Sequence, residues 1–211
     1  MRKLSRTLKI TRLVIYSETM IDVEEHFWTF IGAFVGIGLI GYMQSSYLAL
    51  NDNIFLVGSF GASAVLIYGV VNSPLAQPRN LVGGHLISAV LGVTVNYLVP
   101  VPWLAAALAV SSSIVVMQVT KTLHPPGGAT ALIAVTGSEE IKSLGYLYVL
   151  SPILSGVVIL LVVALYFNDA ANRSYPKNKH WFKVWNRKYV PVRRRPSRIA
   201  RHEAGLRDLF S

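Results

Sequence analysis

The sequence predicts an all-α polytopic membrane protein with five full transmembrane helices and one short helix, arranged as a 3+3 inverted repeat. Three observations predict it. Of the 211 residues, 53% are hydrophobic and 14% charged, against about 25% charged in soluble domains. Between Phe27 and Phe167 the charged residues are Asp52, Arg79, Lys121, Glu139, Glu140 and Lys142; the rest crowd into the two ends. Five apolar segments (27–48, 54–72, 81–99, 103–122 and 146–167) reach the roughly 20 residues that cross a hydrocarbon core. A sixth, 126–138, follows His124-Pro125-Pro126-Gly127-Gly128, a run that no unbroken membrane helix needs.

Residues 1–25 form a basic amphipathic arm. Leu4, Leu8, Thr11 and Ile15 share one face of a helix over 3–16, among Arg2, Lys3, Arg6, Lys9 and Arg12, which suits the membrane surface. A basic arm without fixed structure is the competing form. Thr11, Arg12 and Ser17 interrupt the apolar run, so it does not read as a signal peptide. The transmembrane domain occupies 26–168, with Trp28, Tyr47, Tyr97, Trp103, Tyr146, Tyr148 and Tyr166 suited to the interfacial belt. Residues 169–211 form a basic tail.

Both termini are basic, with twelve Lys or Arg after Phe167, so the positive-inside rule places both in the cytoplasm. That requires an even number of crossings, and counting 126–138 as a crossing supplies it. Asp52, Glu139 and Glu140 then lie outside, Arg79 and Lys121 inside, with Lys142 a minor exception. Six crossings divide into three plus three. The block Gly58-Ser59-Phe60-Gly61-Ala62-Ser63 resembles Pro125-Pro126-Gly127-Gly128-Ala129-Thr130 at an offset of 67 residues, and that offset carries 81–99 onto 148–166. Halves with an odd number of crossings run in opposite directions. Two helix N-termini, each with about half a positive charge, then approach one another near the midplane, which favours an anion.

The side chains agree with that polarity. No Asp or Glu lies within a predicted span, and a buried cation needs a counter-charge. Gly58, Ser59, Gly61, Ser63, Gly127, Gly128 and Thr130 supply backbone and hydroxyl donors at the two N-termini. Gln77, Arg79 and Asn80 form a loop made rigid by Pro74 and Pro78, in which Asn80 is placed to cap the following helix. Arg79 offers two-point hydrogen bonding to an oxyanion, or simply serves the positive-inside rule. Lys121 leads anions to the pore or snorkels to headgroups. His124, beside Pro125 and Pro126, positions the break, donates to an anion or carries a proton. His85 is either a ligand or, preferably, an inter-helix hydrogen-bonder. The stripes Gly84, Ser88, Gly92 and Ala105, Ala109, Ser113, and the pair Gly32, Gly36, permit tight packing within a protomer or in a homodimer.

Cysteine is absent, which excludes disulfides, zinc–thiolate sites and thiol catalysis. With no carboxylate pair or metal cluster in a span, no catalytic role, metal or cofactor is expected. The net charge of +10 sits beside membrane spans, so anionic lipid headgroups are the expected partner of the tail, not nucleic acid. Trp181, Phe182, Trp185 and Arg193-Arg194-Arg195 fit such docking; a solvated tail is the alternative.

With these residues in view, the chain resembles the HPP family of integral membrane proteins. Gly58-Ser59-Phe60-Gly61-Ala62-Ser63, Gln77-Pro78-Arg79-Asn80 with Gly83-Gly84-His85, and His124-Pro125-Pro126-Gly127-Gly128-Ala129-Thr130 match its pattern in order. The resemblance covers about 54–167. It implies a transporter or channel for a small inorganic anion, nitrite above all, in a bacterial inner (plasma) membrane. The family is often described with four spans, fewer than are counted here. A non-transporting membrane scaffold or sensor, holding anionic headgroups or a phosphorylated ligand, is the competing function.

Overall fold

Proline sets where three of the helices begin. The computed structural model describes residues 23–47 and 57–177. The expected surface helix at 3–16, Asp52, and the tail residues Trp181, Phe182, Trp185 and Arg193 to Arg195 lie outside the described residues. Helix α1 spans Val23–Tyr47, and α2 spans Gly58–Ala64 and runs on as a π-helical turn, Val65–Gly69. A 3-10 turn, Pro74–Ala76, leads into α3, Pro78–Leu98. Then come α4 (Pro102–Val119), α5 (Pro125–Thr136) and a short α6 (Glu139–Ser143). A π-helical turn, Val149–Leu154, continues into α7, Ser155–Ala170. Pro78, Pro102 and Pro125 stand in the first turns of α3, α4 and α5, where a missing N–H costs nothing and the fixed φ suits the helix.

Two helices also end alike. After α4, Lys121 takes φ 58° while Thr122 N–H donates to the Met117 carbonyl (2.8 Å) and Lys121 N–H to Gln118 (3.2 Å). After α7, Asn172 takes φ 54°, with Arg173 N–H on Asn168 (2.8 Å) and Asn172 N–H on Asp169 (2.9 Å). This paired closure satisfies carbonyls that the last turn leaves free.

Among the described residues four helices are long and apolar enough to cross a membrane: Val23–Gln44, Pro78–Leu98, Pro102–Val119 and Val149–Ala170. The expectation of five fails at 54–72. There the helix covers Gly58–Gly69, about 18 Å at 1.5 Å per residue, against a core of about 30 Å. Val57 is extended (φ −74°, ψ 131°) and Val70 leaves helical geometry (φ −131°, ψ 50°). Hydropathy counts apolar side chains whatever their backbone does, so the run reads longer than the helix. Helices α1 and α7 reach beyond their predicted outer ends and place Glu24, Glu25 and Asp169 there, exposed.

Helix α2 finishes at one end of the bundle. Thr29 Oγ1 of α1 donates to the Tyr68 carbonyl at 3.0 Å, so α2 finishes beside the start of α1. Arg173 joins the same end: its guanidinium donates to the Glu25 carbonyl (2.6 Å), the Tyr68 carbonyl (2.9 Å) and Thr29 Oγ1 (3.2 Å). Asn168 Nδ2 donates to the Ile67 carbonyl at 3.0 Å. Helix α7 therefore ends where α1 begins. Nearby, the Tyr175 hydroxyl donates to the Ala76 carbonyl at 3.0 Å, and burial pushes its phenol above the ordinary range, which keeps it a donor.

Helix α3 is the mast of the bundle, packed against α4, α5 and α7. Phe60, Ile67, Tyr68, Leu81, Ile153 and Leu160 fill the buried core, while Phe30, Phe34, Val115, Val162 and Leu165 stay exposed. Large apolar side chains on the outside suit lipid. Tyr97, Trp103, Tyr146 and Tyr166 are exposed as belt residues should be, but Tyr148 is fully buried, a correction whose reason appears below.

Arg173→Met removes donors from three carbonyl and hydroxyl groups at once and is expected to cost about 2–3 kcal/mol. Arg173→Lys should recover only part, because an ammonium lacks the planar fork. Thermal unfolding in detergent checks both; equal midpoints for Arg173→Met and wild type would remove Arg173 from this role.

Candidate functional site: a buried histidine–hydroxyl network

Five polar side chains on three elements and a loop meet where α2, α3 and α5 cross. Ser59 and Ser63 come from α2, His85 from α3, Thr130 from α5, and His124 from the residue that precedes α5. All five are 0% exposed, so each polar atom needs a protein partner. Ser63 Oγ lies 2.7 Å from His85 Nε2 and 2.9 Å from His124 Nε2. It also reaches the Ser59 carbonyl at 3.0 Å. His85 Nδ1 meets Thr130 Oγ1 at 2.7 Å, and Thr130 Oγ1 lies 2.9 Å from Ser59 Oγ. His124 Nδ1 faces the Leu75 carbonyl at 2.9 Å. Since a carbonyl only accepts, that nitrogen carries hydrogen.

Local sequence explains each placement. Ser59 and Ser63 are four apart and share one helical face. His124 takes extended geometry (φ −138°, ψ 105°) before Pro125, as the residue preceding a proline prefers, and so its ring turns across the start of α5. Phe60 sits edge-on to His85 at 5.7 Å, and the two imidazoles lie 5.0 Å apart. Tyr148 donates to the Thr130 carbonyl at 3.1 Å. That bond is why it is buried, and no pattern in the sequence separates it from the belt tyrosines.

Close packing depends on absent side chains. A β-carbon on Gly127 would lie 2.9 Å from the Gly84 carbonyl and 2.9 Å from Ser88 Oγ; one on Gly92 would lie 2.7 Å from the Ala131 carbonyl. One on Gly84 would strike His124. The small-residue stripe of α3 is therefore the seat of α5, and Ala105 and Ala109 of α4 close on Ala131 and Val135 from the other side.

A family model, HPP transmembrane region, matches residues 18–176. The chain belongs to the HPP family. With its four candidate spans it is an integral membrane protein. It is 49% identical over 163 residues to a transmembrane protein of Dictyostelium discoideum, covering 74% of this chain and 56% of that protein. To a second transmembrane protein of that organism it is 46% identical over 160 residues, 74% of this chain and 51% of the relative. The chain thus spans about half the length of the curated relatives it matches. No solved structure matches it. The four-span description of HPP proteins agrees with the four long helices here.

Other residues singled out from the HPP sequence lie elsewhere. Gly58 and Gly61 are exposed on the far face of α2, with open space where a β-carbon would sit. Gly128 faces an apolar groove of about 520 Å³ between α4 and α5, lined by Val110, Ile114, Met117, Leu123 and Leu132. Pro125 is exposed and Pro126 buried in the first turn of α5. Gln77 donates to the Val71 and Ser73 carbonyls and accepts from Lys177 N–H. Arg79 donates to the Thr120 carbonyl, which closes the α4 C-terminus. Asn80 does not cap α3; Gln77 occupies the cap position and Asn80 Nδ2 donates to the Leu123 carbonyl at 2.7 Å. The Lys121 side chain is exposed. The two amino-terminal turns do not face each other across a shared pocket. Ser59 bonds Thr130 and Ser63 bonds His124, so they pass side by side in opposite directions.

Gly127→Ala is expected to destabilise by about 1–3 kcal/mol through overpacking against α3, whereas Gly61→Ala should stabilise by roughly 0.5–1 kcal/mol. Equal unfolding midpoints for the two variants would contradict this packing. Lys121→Gly should raise stability by about 1 kcal/mol, because the left-handed position after α4 suits glycine; a loss there would point to a role for the lysine side chain.

Proposed function

We propose that this HPP protein is a transporter or channel for a small inorganic anion, with nitrite the first passenger to test. One observation carries the reading: a polar network of hydroxyls and imidazoles, without a carboxylate among its members, buried between apolar helices. Buried polar groups in a membrane are expensive and mark pathways for ions or substrates. Hydroxyl and imidazole N–H groups donate to an anion, and the amino-terminal turns of α2 and α5 add their dipoles.

Element order favours an inverted repeat. Long α1, short α2 and long α3 are followed by long α4, short α5 and long α7. Helix α1 packs on α7 while α4 packs on α3, the exchange a two-fold axis between the halves produces. In this conformation the network is closed on itself, so passage requires α2 and α5 to part. The termini are assigned to one side of the membrane, the cytoplasmic side by their charge.

Flux of nitrite, nitrate, formate and chloride into liposomes holding the purified protein is the test, with protein-free vesicles as background. Ser63→Ala with Thr130→Val should lower flux at least tenfold. Four anions that all enter no faster than through bare lipid would end the proposal. The scaffold reading predicts that deleting residues 178–211 abolishes function; a transporter keeps its flux. The cut leaves Arg173, which holds the bundle together, in place.

A further inference from the structure

We propose that the buried chain Ser59–Thr130–His85–Ser63–His124–Leu75 carbonyl is a proton relay, so that a proton accompanies the passenger. The inference rests on the transport reading for the passenger, not for the proton. Five consecutive contacts of 2.9, 2.7, 2.7, 2.9 and 2.9 Å join the chain. Every member but the terminal carbonyl both donates and accepts hydrogen.

Counting hydrogens gives one neutral filling that satisfies all five contacts. With His124 neutral and Nδ1–H on the Leu75 carbonyl, its Nε2 accepts from Ser63. Ser63 then accepts from His85 Nε2–H, and His85 Nδ1 accepts from Thr130, which is left to accept from Ser59. Let water deliver one proton to the Ser59 oxygen. The Ser59 hydrogen passes to Thr130, the Thr130 hydrogen to His85 Nδ1, and the His85 Nε2 hydrogen to Ser63. The Ser63 hydrogen then passes to His124 Nε2. His124, holding hydrogen on both nitrogens, releases Nδ1–H to a water that displaces the half-buried Leu75 carbonyl. One proton enters, one leaves, and both rings have exchanged tautomers. Afterwards the four side-chain bonds run the other way, with Thr130 donating to Ser59 across the 2.9 Å contact, and the bare His124 Nδ1 accepts from water in place of the Leu75 carbonyl. Rotation of the hydroxyls and reversal of the tautomers reset the chain.

Apart from the Ser59 carbonyl, 3.0 Å from Ser63 Oγ, and the Pro126 carbonyl, 3.4 Å from Thr130 Oγ1, the surroundings leave the relay to itself. Tyr148 is turned to the Thr130 carbonyl, Arg79 to the Thr120 carbonyl, Tyr68 to the Leu160 carbonyl, and the Lys121 side chain is exposed. Among the described residues no group of three or more His, Cys, Asp or Glu gathers to hold a metal ion. Histidine chains within membrane helices serve as proton paths elsewhere.

The full chain in liposomes with a trapped pH-sensitive dye tests this. A potassium gradient with valinomycin drives protons inward, first in gluconate alone and then with nitrate added. Wild type should acidify the lumen at least tenfold faster than protein-free vesicles in one of these conditions. Ser63→Ala and His85→Gln should abolish the difference, and Ser63→Thr, which keeps the hydroxyl, should restore it. Ser59→Ala, which removes only the entry hydroxyl, replaces Ser63→Ala if the latter does not fold. No excess acidification by wild type in either condition, or full acidification by the hydroxyl-less variants, overturns the relay. Nitrate flux without acidification would discard the relay and keep the transporter. Acidification without anion flux, lost in Ser63→Ala, would keep the relay and discard the anion.

Discussion

One hydroxyl, Ser63 Oγ, holds three helices together in the middle of the bundle. It stands between His85 of α3 and His124 at the head of α5 while belonging to α2. In lipid, apolar contact between helices gains little over contact with acyl chains, so association rests on close packing and on hydrogen bonds. The short helices need such a bond most. Helices α2 and α5, each of 12 residues, cannot be fixed by hydrophobic length as the long spans are. Their position follows from what they bond.

That bonding is possible only because α3 and α5 lie nearly backbone to backbone. Gly84 leaves room for the His124 ring, and Gly127 lies against the Gly84 carbonyl and Ser88. A larger residue at either position would push His124 out of reach of Ser63. The glycines of the Pro-Pro-Gly-Gly break therefore act through helix packing, and the polar network is its consequence. The same economy appears at the ends of the bundle, where Arg79, Asn80, Gln77 and Arg173 all donate to backbone carbonyls.

The long helices were legible because charge avoidance and apolar length measure the same thing that lipid selects. The break at His124-Pro125 was legible because proline and glycine have few other uses in such a run. The two blocks of small residues, 58–63 and 125–130, do meet, but side by side and not tip to tip as expected; His85 was read as an inter-helix hydrogen-bonder, and that is its geometry. Other features were hidden for physical reasons. The length of α2 depends on backbone geometry at Val57 and Val70, which hydropathy does not register. Arg79 and Lys121 carry charge, and charge in a sequence looks alike whether it serves a ligand or a helix terminus. Tyr148 and Arg173 act through contacts 18 and 105 residues away in the chain, beyond the reach of local pattern.

The distribution of charge narrows what the centre can do. Arg79 and Arg173, at the ends of the bundle, are each committed to helix-terminal carbonyls, Arg79 at the end of α4 and Arg173 at the end of α2. They neutralise backbone dipoles at the membrane ends. What remains inside is a set of hydroxyls and imidazoles that can donate or accept. A fixed central cation would hold an anion tightly and release it slowly, whereas passage needs binding that is favourable to enter and weak enough to leave. Hydroxyls and imidazoles meet that condition by reorienting. Ser63 has one hydrogen for three acceptors within reach, so a guest that takes it changes what both histidines can bond.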